Sequence, residues 1–171
     1  MRRLYIVLVS MLFISFFLLF VNGIITILKT IKNDKPVMDM RMQQMLETLE
    51  NNDKYALKAM FSKKAIDEAD DIDGGIDYLF DFFQGNVESC KSGGFGFESG
   101  YRNGGKIVLS KSRYTVTTDD DTYLFFILDY TEYETNPDNK GFYTLHVIKK
   151  ADETWFEYDW DNLEIAGIYR P

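Results

Sequence analysis

The residues best suited to chemistry are Asp129 and His146, the only histidine in the chain. If a strand ending at Glu134 folds back across the loop Thr135–Lys140 onto a strand beginning at Gly141, Asp129 faces His146. Tyr123, Phe125, Ile127, Thr144 and Ile148 then share their sheet face. A carboxylate beside an imidazole orients the ring and raises its basicity, the minimum apparatus of a general base. On this reading Asp129 and His146 are the catalytic pair, while Tyr123, Phe125 and Thr144 line the ligand site.

Other motifs are weaker. In Asp70-Asp71-Ile72-Asp73-Gly74, aspartates precede a glycine as in a calcium loop, but placing Gly74 sixth puts Ala69 first and Phe80 twelfth, where carboxylates are required. Gly93-Gly94-Phe95-Gly96 lacks the lysine of a phosphate loop and the spacing of a dinucleotide fingerprint. One histidine and one cysteine, Cys90, make neither a standard zinc site nor an internal disulfide, so no metal and no cofactor is expected. No nucleophile elbow is present. Trp155, Phe156, Tyr158 and Trp160 alternate with acidic residues and could stack a sugar or peptide, although core and rim is the simpler role.

The elements that must position these residues begin with a membrane anchor. Arg2 and Arg3 precede an uncharged run from Leu4 to Leu28. At 1.5 Å per residue it extends roughly 37 Å, more than the ~30 Å hydrocarbon core. Val21-Asn22-Gly23 offers a signal-peptidase site, yet the run is longer than a secretory apolar region and continues beyond it. Residues 1–32 are therefore expected to be a transmembrane anchor or uncleaved signal, 33–36 a linker and 37–171 a single domain. An amino-terminal signal before one domain places that domain outside the membrane, in single-pass topology, or secretes it if cleavage occurs. Without Arg2 and Arg3 the chain keeps 17 basic residues against 27 acidic ones. That balance excludes nucleic acid, and the expected partners are the membrane, a small molecule or protein, and a second copy in a homodimer.

Within the domain, Met38, Met42, Met45, Leu46 and Leu49 form one helical stripe. Asp53 caps a second helix bearing Ala56, Leu57, Met60 and Phe61 inward. Asp73 caps a third with Ile76, Leu79, Phe80 and Phe83 inward, stopped by Gly85. From Val87 the texture turns β-branched and aromatic, predicting strands near 86–91, 95–101, 106–117, 122–134, 141–150, 154–160 and 163–169. Asp119-Asp120-Asp121 and Ala151-Asp152-Glu153 supply turns. Leu124 to Leu128 is apolar on both alternating faces, which marks a central strand covered on both sides. Helices followed by strands indicate an α+β fold with a mostly antiparallel sheet.

The segments Leu46-Glu47-Thr48-Leu49-Glu50-Asn51-Asn52-Asp53, Leu57-Lys58-Ala59-Met60-Phe61-Ser62 and Ile76-Asp77-Tyr78-Leu79-Phe80-Asp81-Phe82-Phe83-Gln84-Gly85 resemble the helical half of a bacterial domain of unknown function. That family is similar to cystatin-like folds of the nuclear-transport-factor-2-like kind, and the likeness covers roughly residues 38–171. It implies three helices against a curved sheet, forming a cone whose mouth can hold a small ligand. Its motifs are structural and assign no catalytic residue. Many relatives look like exported lipoproteins, from which this chain departs by lacking a lipid-accepting cysteine. The function expected is a membrane-tethered extracytoplasmic binding module. A small lyase, isomerase or hydrolase using Asp129 and His146 is the alternative, and a structural dimerisation domain a third.

Overall fold

A computed structural model describes the backbone of residues 2–155 and 165–170, without the side chains of residues 2–10, 26, 27, 30, 31, 33, 34, 154 and 155. The chain divides into two units, Met1–Pro36 and Val37–Pro171.

The first unit is helical. Helix α1 runs Arg2–Glu50 and includes the expected linker 33–36. Pro36 lies inside this helix, where it removes the bond its missing N–H would have donated to the carbonyl four residues earlier. Residues 11–20 are exposed on every side of the helix, and their apolar side chains show no inward face. Among the described residues, no helix is long and apolar enough to cross a membrane. The described apolar stretch 11–25 explains this, because 15 residues of helix extend only about 22 Å. The side chains from Leu4 to Ser10, which complete the expected span, lie outside the described residues.

The second unit starts with the last part of α1, where Met38, Met42, Met45, Leu46 and Leu49 enter the core as their spacing predicts. Asn52 turns the chain with φ of 54°, and Asp53 caps α2 (Lys54–Ala59) by accepting from Ala56 N at 2.9 Å. A further short helix, α3 (Lys63–Glu68), was not foreseen; Ser62 caps it, accepting from Ala65 N at 3.0 Å. Helix α4 (Ile72–Phe82) is capped by Asp71 and not Asp73, since Asp71 lies three residues before the Gly74 N–H it accepts. Gly85 then reverses the chain at φ +87°, where a Cβ would stand 2.6 Å from the Asp119 carboxylate.

The sheet follows chain order, β1-β2-β3-β4-β5. Strand β1 (Val87–Arg102) joins two expected strands into one, with register shifts near Glu88 and Gly93. It turns through Asn103 and Gly104, both at positive φ as a tight hairpin requires, into β2 (Gly105–Thr118). The aspartate turn leads to β3 (Thr122–Tyr133), with Thr118 Oγ1 accepting from Asp120 N and Asp121 N. Strand β4 (Gly141–Lys149) follows a loop containing the 3₁₀ turn Pro137–Asn139. Lys150–Trp155 is a 3₁₀ helix where a strand from 154 was expected, and 156–164 lies outside the described residues. Strand β5 (Gly167–Tyr169) pairs with β4 in parallel.

Strand β3 is central and covered on both faces, as its apolar run predicts. Tyr123, Phe125 and Ile127 belong to the core shared with the helices, whereas Leu124, Phe126 and Ile148 form a second cluster on the opposite face. The fold is α+β, with its helices packed against one face of a mixed five-stranded sheet.

Candidate functional site

The expected catalytic pair is not assembled. Phe126, not Asp129, lies opposite His146, and Asp129 lies opposite Phe142. The displacement is three residues along β3, and an odd displacement exchanges sheet faces. Its cause is local to the start of β4. There Phe142 N donates to Met60 O, and Ser62 N donates to Phe142 O, both at 2.9 Å. This docking starts the β3–β4 ladder at Tyr130 opposite Gly141, while an extra residue, Tyr143, shifts the register between Phe142 and Thr144.

Each residue therefore has a different neighbourhood from the one expected. His146 is fully buried on the far face, 4.3 Å from the ring of Tyr169 and 6.1 Å from that of Phe126. Burial lowers its pKa to about 4, so the ring is neutral at pH 7. Asp129, also fully buried, faces the helices, where Arg41 Nη1 donates to both carboxylate oxygens at 2.5 Å. Desolvation raises its pKa to about 6, and the guanidinium opposes part of that rise. Both groups are fully buried, on opposite faces of the sheet.

The expected ligand residues are likewise enclosed. Tyr123 and Phe125 lie beneath Phe83, at ring separations of 4.9 and 5.6 Å, and the Tyr123 hydroxyl accepts from Gln84 N at 3.0 Å. Both rings are thus enclosed beneath the helical layer. Thr144 sits on the far face with His146 and donates to Ile165 O at 2.5 Å. The aromatic platform from Phe156 to Trp160 lies outside the described residues.

Polar contacts gather instead along the flanks of α1. At about 100° per residue, Asp39 and Arg41 stand roughly 80° to either side of the methionine stripe. Asp39 accepts from the Tyr114 hydroxyl at 2.8 Å, and Arg41 reaches Asp129. Tyr114 titrates well above the ordinary tyrosine range because its hydroxyl is buried and bonded to that carboxylate. Half-buried Cys90, beside Asp39, is raised chiefly by burial. The charges bordering the stripe were the available signal for this clamp, but their partners lie 75 and 88 residues away.

Two further polar assemblies were missed. An open groove of about 370 Å³ lies between α2 and α4, where Lys54 pairs with Asp77 and Lys58 with Asp73, both at 2.7 Å, over Ile76. Lys64 of α3 stands among Tyr130, Tyr143 and Glu68. Among the described residues, no group of three or more histidine, cysteine, aspartate or glutamate side chains is arranged to hold a metal ion.

No curated protein matches the chain. Residues 44–150 match the family described as domain of unknown function DUF5104, a span running from the methionine-rich end of α1 to the end of β4, and the chain belongs to that family.

Proposed function

We propose that this chain is a membrane-tethered, extracytoplasmic module that binds a small molecule or protein and does no chemistry on it. The observation carrying the tether is the exposure of residues 11–20 around the whole helix. A surface helix of a soluble domain keeps one polar face, whereas a helix apolar all round suits a lipid environment. With Leu4 to Ser10 restored from the sequence, the uncharged run has the length a bilayer requires. Arg2 and Arg3 on one side of the run and Lys29, Lys32 and Lys35 on the other nearly balance, so the orientation rests on an amino-terminal signal preceding a single domain, an arrangement that exports the domain.

The separation of Asp129 from His146 supports binding over catalysis, because the two groups expected to work as an acid–base pair lie on opposite faces of the sheet. Helices laid on one face of a sequential sheet fit the cystatin-like cone that the resemblance implies.

The test is fractionation of cells expressing the full chain, with protease added to intact cells. The chain should stay with membranes through alkaline carbonate, leave with detergent and be digested from outside. Release by carbonate would sink the tether, and protection from external protease would sink the orientation.

A further inference from the structure

The contacts that displaced the sheet register also build a second structure. Because Ser62 and Met60 are hydrogen-bonded to Phe142, α3 starts against the beginning of β4, and Lys64 is placed beside the extra residue Tyr143. The Lys64 ammonium stands 4.4 Å from the Tyr143 ring centroid and 5.2 Å from that of Tyr130. The two rings are 5.6 Å apart and inclined by 69°, so they present two walls. Tyr133 backs Tyr130 at 5.5 Å and 70°. Glu68 lies 3.8 Å from the ammonium and accepts from the Tyr143 hydroxyl at 2.8 Å, while Lys64 donates to the Tyr130 hydroxyl at 3.3 Å.

Two aromatic faces and one carboxylate around a cation are the elements by which proteins recognise alkylated ammonium groups. We propose that this cage is a binding site for an organic cation of the quaternary or alkylammonium class, with Lys64 as its resident occupant in the free protein. The proposal gives the binding-module reading a ligand class and rests on it.

Displacement favours such a ligand. A primary ammonium is strongly hydrated and loses little on returning to water, whereas a methylated one is poorly hydrated and gains more from ring faces. Lys64 keeps 20% of its side chain exposed, on a flexible four-carbon stem and the second residue of a six-residue helix. Glu68 is about half exposed and offers the entering cation its first opposite charge. Occupancy by Lys64 reduces apparent affinity to the intrinsic value multiplied by the fraction of molecules in which the cage is open.

The experiment titrates tetramethylammonium chloride into the full chain in neutral-detergent micelles, with sodium chloride as control, following tyrosine ring protons by NMR. Wild type should show saturable shifts, and Lys64→Ala should lower the half-saturation point about ten-fold by removing the competitor. Lys64→Ala/Tyr143→Ala should lose the response. Absence of saturable shifts in Lys64→Ala, equal half-points in Lys64→Ala and wild type, or binding that survives loss of Tyr143 would each overturn the proposal. An unchanged His146 ring signal reports that each variant is folded, and Lys64→Gln replaces Lys64→Ala if it is not. Failure of the tether appears in the fractionation and leaves this titration unaffected.

Discussion

His146 and Asp129 lie on opposite faces of one sheet, with Phe126 across from the histidine and Arg41 against the aspartate. Their environments displace the two titrations toward each other, the histidine down to about 4 and the aspartate up to about 6. The consequences for stability have opposite signs. Between about pH 4 and 6.5 the unfolded chain holds a proton on His146 that the folded chain refuses, so this contribution is complete above 6.5 and lost in acid. Folded Asp129 binds its proton more tightly than the unfolded residue does, so its contribution falls as pH rises from about 4 to about 6. Relative to wild type, His146→Phe should gain about 2–3 kcal/mol on moving from pH 7 to pH 4. Urea midpoints at the two pH values check this, and an unchanged difference would place the ring in water.

Arg41→Met should raise the Asp129 titration above about 6, because desolvation then acts without its opposing charge. Carboxyl carbon shifts in an aspartate-labelled sample read this directly. The variant should also lose about 2–3 kcal/mol of stability, less than a fully buried pair would cost because the arginine is one-quarter exposed. Arg41→Met with Asp129→Leu should recover most of that loss, since no buried carboxylate then remains uncompensated.

Tyr114→Phe removes the bond to Asp39 and keeps the ring that packs in the core. A loss of about 1–2 kcal/mol is expected, typical of a hydrogen bond to a charged acceptor, with an unchanged denaturant slope. A loss below a few tenths would show that water replaces the hydroxyl without penalty.

Gly141→Ala should be among the most damaging single substitutions. Gly141 has φ of +133°, and a Cβ there would meet Ser62 N at 2.7 Å and Met60 O at 2.8 Å, both backbone atoms. Strain and clash together predict a loss of about 3 kcal/mol or more in thermal or urea unfolding. The same change at Gly96, which has open space around it, should cost far less.

What could be read without coordinates was whatever is encoded within a turn or two of chain. The stripe from Met38 to Leu49, the cap at Asp53 and the doubly covered Leu124–Leu128 are local patterns, and each is found where its spacing put it, whereas α4 stops at Phe82 with an extended Phe83 as its cap, before the expected Gly85. Asp71 displaced Asp73 as the cap of α4 because an aspartate-rich start offers two starting points, and only the Gly74 contact chooses between them. The register of β3 and β4 was not legible. It depends on Gly141 docking against the α2–α3 link nearly 80 residues earlier and on the extra residue Tyr143, neither of which leaves a periodic trace. The lysine cage was hidden for the same reason, since Tyr130 and Tyr143 become neighbours only after that register is set.

The strand order carries a consequence for how the protein is made. Strands β1 to β4 each pair with the strand just synthesised, so the sheet can grow hairpin by hairpin as the chain emerges, with short loops to close and little waiting. The helices come first and do wait. Their apolar stripes from Met38 to Phe83 have no sheet to cover them until β2 and β3 arrive, some 40 residues later. During synthesis the vulnerable surface is thus the helical layer, and a chaperone attending this protein would find its work there and not on the strands.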